Sequence, residues 1–261
     1  MVNEPEDLAA AERHVEERMT ALLGDLPTLC DSTFDLLGRS IDEVIAQDPS
    51  TERRSRRVAT VLMTRLSNDL RVASRVACTG YALQSASIVA GLYEIALTII
   101  HVGTSEELAL KWTEHRNPLK TPWSVVTLTK SVAAKTVPND IAGVANRLYQ
   151  RYTQLCWAKH GHPMSEIQQV ARRTSDSMEI VHGPDDSEPS VRTAWFALLH
   201  AVGLALLAQG RFALDHLPSS NRREELLKIR EALETIHGDR FRRSVERWPS
   251  VDPFPGQWAK L

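Results

Sequence analysis

The stretch YALQSASIVAGLYEIALTIIHVG, residues 81–103, constrains the fold more strongly than any other part of the sequence. Small and aliphatic residues recur along it at intervals of three and four, which is the spacing of a helix, and they cover two faces rather than one. A helix that is apolar on opposite faces must be surrounded by other elements. The sequence therefore predicts a central helix around which the rest of the chain packs.

A second stretch of this kind, residues 191–217, is apolar on almost every helical face. The two apolar segments, near 88–100 and 194–208, carry Glu94 and His200 and are shorter than a typical membrane span. We therefore expect both to be buried core helices that do not cross a membrane.

The remaining sequence also favours helices, because Ala, Leu, Arg and Glu dominate it and strand-like alternation is scarce. Helices are predicted over residues 5–23, 27–47, 51–77, 81–103, 105–115, 121–134, 138–160, 165–180, 191–217 and 220–238. Gly24 is expected to end the first helix, and Thr104 with Glu107 forms a capping box. We expect an all-α multi-helix bundle of about eight to nine helices with an acidic N-terminal helical hairpin.

Charge divides the chain into unequal parts. Residues 1–50 hold three Arg and twelve Asp or Glu, whereas the rest holds 28 basic and 21 acidic residues. We assign 1–50 to the acidic hairpin, 51–248 to the main bundle and 249–261 to a Pro-rich tail. Two arrangements of the hairpin are open: it packs on the bundle, or it stands apart as an element for dimerisation or for binding a partner.

The three cysteines are odd in number and widely spaced, so they do not indicate a disulfide framework. A reducing cytosol fits this cysteine usage best, and the acidic opening MVNEPEDLAAAERHVEE is unlike a secretory signal. We expect a cytoplasmic protein without a cofactor.

Arginines cluster at the start of the helix predicted over 51–77: Arg53, Arg54, Arg56 and Arg57. A charge run of this kind is usually a solvated helix face, and phosphate binding is the functional alternative. Aromatic residues do not alternate with these arginines, as they would in a platform for stacked bases.

The segment LCWAKHGHPMS, residues 155–165, raises the question of a metal site. Cys156 and His160 are one helical turn apart, and His162 and His182 could add ligands from loops. A helix stop explains the segment better, because His160 suits the last turn, Gly161 suits the position after it, and a proline follows. We expect the end of a helix and no metal.

In the segment RFALDH, four residues separate Arg211 from His216 near the end of a predicted helix. It resembles the Arg–four-to-six-residues–His motif of the HEPN superfamily, whose nuclease members are helical bundles of toxin–antitoxin and phage-defence systems. The resemblance implies a composite, metal-independent site for RNA made by two protomers. Arg211 would hold the scissile phosphate, and His216 would act as general acid or base. In the structural alternative, Arg211 solvates the end of a buried helix and His216 stands near its C-terminus.

A broader resemblance covers about residues 55–215. A helix of small and aliphatic residues with a late Glu, followed by a His-Gly corner, is similar to uncharacterised helical bacterial proteins that form a domain family of unknown function. It draws attention to Glu94, Arg151, His160 and His162. These residues form either a site or a buried ionic network that holds the helices in register. We favour the structural network, with His160 reaching back to Glu94.

Two hypotheses of function follow. In the first, the chain is a HEPN-like, metal-independent ribonuclease effector of a toxin–antitoxin or phage-defence system, acting on RNA as a homodimer through Arg211 and His216. In the second, it is a non-catalytic helical interaction or regulatory module. That module would bind a protein or nucleic-acid partner through the arginine-bearing face of residues 53–75, or a cognate protein through the acidic hairpin.

Overall fold

The computed structural model describes residues 5–47, 53–117, 120–160, 171–173, 178–180 and 183–248. Within these residues it contains nine α-helices, a short 3₁₀ turn over Pro138–Asp140 and a pair of three-residue strands. The helices are α1 Pro5–Leu23, α2 Leu26–Ile45, α3 Arg54–Cys78, α4 Ala82–Val102, α5 Glu106–Thr113, α6 Val125–Thr136, α7 Ile141–Lys159, α8 Glu188–His216 and α9 Asn221–Arg247. The strands β1 (Ala171–Arg173) and β2 (Met178–Ile180) pair antiparallel. The prediction of an all-α multi-helix bundle is confirmed.

Helix α4 lies at the centre of the bundle and packs against α3, α6, α7 and α8. Its side chains Leu92, Tyr93 and Leu97 are almost completely buried, as its apolar residues on opposite faces predicted. Both α4 and α8 are long and apolar enough to cross a membrane, so the prediction that these segments are shorter than a membrane span is wrong. In this fold 72% and 67% of their most apolar windows are buried by the other helices.

The acidic N-terminal region packs on the bundle. Helix α2 contacts α3, α8 and α9, and Leu36 and Leu37 belong to the same hydrophobic core as α4. In the buried contact with α8, Gln209 Nε2 donates to Ser40 Oγ at 3.0 Å. The Pro-rich tail predicted over 249–261 lies outside the described residues.

Two local predictions are wrong. Helix α5 begins after Ser105, whose Oγ accepts from Leu108 N at 3.2 Å, so Ser105 and not Thr104 is the N-cap. The helix expected over 165–180 is replaced by strand at 171–173 and 178–180, and its other residues lie outside the described part. The glycine expected to end the first helix does so, since Gly24 follows α1 with φ of +61°.

Candidate functional site

Two groups of residues that are far apart in sequence lie at the same end of the bundle. Arg53 and Arg56 at the start of α3, and Arg211 in the last turns of α8, are close enough to His216 for their charges to lower its pKa. Lys135 at the end of α6 lies near them: burial is the main cause that lowers its pKa, the charge of Arg211 lowers it further, and Asp215 opposes the shift. We name this region the basic end. It consists of Arg53, Arg54, Arg56, Arg57, Glu106, Lys135, Arg211, Asp215 and His216.

Arg211 is held in place by its own helix. Its Nε donates to Asp215 Oδ2 at 2.6 Å, one helical turn further on. The Asp215 side chain is only 8% exposed, whereas the Arg211 side chain is 34% exposed. The bond through Nε therefore orients a guanidinium that still reaches the surface.

Lys135 closes the C-terminal end of the central helix. Its Nζ donates to the carbonyl oxygens of Ile100 and His101 at 2.8 Å each, where a cation is favoured by the helix dipole. Gly103 ends α4 with φ of +50°, and a Cβ there would lie 3.0 Å from Asp215 Oδ2 and 3.3 Å from Lys135 Nζ. The glycine therefore lets both side chains approach the backbone closely.

His216 is the last residue of α8 and is 7% exposed. Its ring centroid lies 5.4 Å from that of Phe212, and its carbonyl oxygen accepts from Gln47 Nε2 at 3.1 Å. Burial is the main cause that lowers the pKa of His216 to about 4, and Asp215 opposes this shift. The imidazole is therefore neutral at pH 7, where it can accept a proton but is a poor donor.

The N-terminus of α3 carries a capping carboxylate from α5. Glu106 accepts from Arg54 N at 3.1 Å, from Ser55 N at 3.0 Å and from Ser55 Oγ at 2.6 Å. The bond from Ser55 Oγ is the main cause that lowers the pKa of Glu106. Since this carboxylate already occupies the helix end, anions at the basic end would meet the arginine side chains instead. Of these, Arg53 and Arg57 are exposed, and Arg54 and Arg56 are half-buried.

The polar set expected around Glu94 is divided in two. Glu94 Oε1 accepts from Tyr152 OH at 2.7 Å and from Lys159 Nζ at 3.3 Å, both on α7. Burial is the main cause that raises the pKa of Tyr152, and its bonds to Cys156 and Glu94 add to it. The partners of Glu94 are therefore the phenol of Tyr152 and the ammonium group of Lys159, and not the arginine and the histidine that were expected.

Arg151 and His160 have other surroundings. Arg151 is buried, and its charge lowers the pKa of His200 and of His237, both of which are depressed mainly by burial. His160 is exposed at the end of α7, and its backbone N–H donates to Cys156 O at 2.9 Å. His160 is thus the helix stop that was predicted, but the predicted contact between His160 and Glu94 is wrong.

Among the described residues, no group of three or more His, Cys, Asp or Glu side chains is arranged to hold a metal ion. Cys156 forms a hydrogen bond with Tyr152, and burial raises the pKa of its thiol. His162 and His182 lie outside the described residues.

Sequence reasoning had singled out Arg53, Arg56, Arg211 and His216 separately, and the fold brings them together. Reasoning from the sequence missed three residues that support and orient the basic end: Lys135, Asp215 and Glu106. Asp215 carries a signal that could have been used, since it lies one turn after Arg211 on the same helix.

Comparisons with protein-family models, with curated proteins and with solved structures each found no match for this chain. The fold and the site define it as an all-α bundle in which arginines from two helices converge on one end.

Proposed function

We propose that this protein binds the phosphate backbone of single-stranded RNA through its basic end. The observation that carries the proposal is the convergence of Arg53, Arg56 and Arg211 around His216. Arginine is suited to this task because its planar guanidinium can donate two parallel hydrogen bonds to one phosphate.

The balance of charge at the basic end supports the same conclusion. The basic end contains six basic side chains, five arginines and one lysine, and only two acidic ones, Glu106 and Asp215. Both carboxylates are already engaged, Glu106 by the backbone of α3 and Asp215 by Arg211. The whole chain has a net charge of −2, so this end departs strongly from the average.

The ribonuclease hypothesis adds a chemical step to this binding. Arg211 would hold the phosphate, and the neutral imidazole of His216 would accept the proton of the ribose 2′-hydroxyl as its oxygen attacks phosphorus. The bond from phosphorus to the 5′-oxygen of the next nucleotide would break, leaving a 2′,3′-cyclic phosphate, and the imidazolium would return its proton to the leaving oxygen. It is favoured by the placement of His216 among three arginines. Binding alone is the primary proposal because it requires no access to a ring that is almost entirely buried.

The binding proposal is tested by fluorescence anisotropy with a labelled, short single-stranded RNA over a series of salt concentrations. Each phosphate contact contributes about −0.7 to the slope of log affinity against log salt. We expect the double variant Arg53→Gln, Arg57→Gln to weaken binding and to reduce the steepness of that slope by about 1.4. The matched control is Arg75→Gln, which removes an exposed arginine at the other end of α3 and should leave the slope unchanged.

An unchanged slope in the double variant, or equal weakening by Arg75→Gln, would contradict the proposal. The same RNA, incubated with EDTA and run on a denaturing gel, tests the added chemical step. Cleavage by the wild type that is lost in His216→Ala supports the ribonuclease hypothesis, provided that the variant still binds. Binding without cleavage leaves the chain as a non-catalytic RNA-binding module.

A further inference from the structure

We propose that a cleft beside α3 and α4 binds a single unstacked nucleobase of the RNA strand, an inference that rests on the proposed function. The cleft has a volume of about 250 Å³ and is lined by residues including Arg65, Gly91, Glu94, Trp112 and Trp123. Sites for drug-sized ligands commonly measure about 300–1,000 Å³, so this cleft suits one base rather than a dinucleotide.

Of the two tryptophans that line the cleft, only one is open enough to stack on a base. Trp112 on α5 is half-buried, and Trp123 is buried against His101, with an edge-on separation of 4.7 Å between ring centroids. Lys111 Nζ lies 5.8 Å from the centroid of the Trp123 ring. Every base has an aromatic face, so an indole at the edge of a cleft can stack on any of the four bases.

Selection among the bases would come from Glu94. Tyr152 and Lys159 both donate to Oε1 and hold the carboxylate in place, while Oε2 takes part in neither bond. A carboxylate accepts hydrogen bonds from an exocyclic amino group. Cytosine, adenine and guanine carry such a group and uracil does not, so the cleft should prefer the first three.

The cleft is connected to the basic end by one face of α3. Arg57, Val61 and Arg65 are spaced at four-residue intervals and are all exposed. Arg65 lies about 12 Å along the helix from Arg57, at 1.5 Å per residue. A strand with phosphates at the basic end can therefore run along α3, pass Arg65 and place one base in the cleft.

Gly91 offers a way to fill the cleft without disturbing the fold. A Cβ at this position, in the middle of α4, would meet no atom within 4 Å. Gly38 in α2 has the same property and does not line the cleft, which makes it a matched control. Replacing glycine in a helix interior also improves helix propensity, so both variants should fold.

The test measures binding of CMP, AMP, GMP and UMP to the full chain by equilibrium dialysis, together with the affinity for oligocytidine and oligouridine. We expect the wild type to prefer CMP over UMP by about tenfold, the ratio expected from one hydrogen bond to a charged acceptor. Gly91→Leu should abolish mononucleotide binding, and Gly38→Leu should retain it. Glu94→Gln should keep binding but lose the preference, because an amide both donates and accepts.

The outcomes separate this inference from the proposed function. If oligonucleotides bind with the expected salt slope but mononucleotides do not, and Gly91→Leu leaves the oligocytidine to oligouridine ratio unchanged, the cleft is not a base site. If mononucleotides bind and the RNA slope is unaffected by the arginine variants, the basic-end proposal fails while the cleft assignment stands. Saturable binding of free phenylalanine or arginine without any nucleotide binding would make the cleft a site for a small zwitterion and overturn the inference.

Discussion

Replacing His216 with leucine should make the fold less sensitive to acid. The pKa of this histidine is about 4 in the folded chain and about 6.5 in an unfolded one. Between these values the unfolded chain binds more protons, so the free energy of unfolding falls as the pH is lowered from about 6.5 towards 4. At about 1.36 kcal/mol per pKa unit, protonation of this histidine lowers the free energy of unfolding by about 3.4 kcal/mol over its whole titration. About 2 kcal/mol of this is lost between pH 7 and pH 5.

Urea unfolding of the wild type and of His216→Leu at these two pH values, followed by circular dichroism, measures this contribution. His101, His200 and His237 also have a pKa lowered by burial, so the wild type should lose stability through several groups at once. The variant should therefore lose about 2 kcal/mol less than the wild type, and comparing two pH values cancels any change in packing.

The control for this experiment is His160→Leu, since His160 is exposed at the end of α7. It should lose as much stability as the wild type between the two pH values. If wild type and His216→Leu lose the same free energy, burial does not keep the His216 imidazole neutral. The reasoning would then be refuted, and the argument that His216 is a poor proton donor at pH 7 would go with it.

The remaining predictions concern helix interiors and helix ends, and each is measured by urea unfolding at pH 7. Gly38→Ala and Gly91→Ala should each raise the free energy of unfolding by about 0.5–1 kcal/mol, because both positions have room for a Cβ; a loss at either would contradict the open space described there. Gly143→Ala should lower it, because a Cβ would clash with Oδ1 of Asp140, the N-cap of α7. Glu106→Gln should cost about 1 kcal/mol by weakening the cap of α3, and an unchanged stability would show that the cap is dispensable.

The fold could be predicted largely because its signals are local. The apolar pattern of residues 81–103 requires partners on opposite faces, and the structure buries α4 accordingly. The cap of α5 was misplaced by one residue because Thr104 and Ser105 are both suitable N-caps, and the backbone path selects Ser105. The cap of α3 could not be predicted, since Glu106 reaches Ser55 from a distant point in the sequence.

The candidate site was predictable as separate residues and not as a whole. The arginines of α3 and the Arg211–His216 pair were recognised from residue type and spacing, but their proximity depends on how α3 and α8 pack. The partners of Glu94 did have a local signal. Tyr152 and Lys159 are seven residues apart, two turns along one face of α7, so a single helix face could supply both donors.

The charge asymmetry of the sequence also has a structural explanation. Arg240 Nε donates to Asp25 Oδ1 at 2.7 Å, and Arg222 Nε donates to Glu43 Oε1 at 2.8 Å, so arginines of α9 compensate part of the acidic N-terminal region. These ion pairs neutralise acidic side chains that a basic protein partner of the N-terminal region would otherwise bind. At the start of α3, in the basic end, the side chain of Arg53 is exposed. The same basic excess joins the N-terminal helices to the bundle at one place and, in the proposed function, would bind phosphates at another.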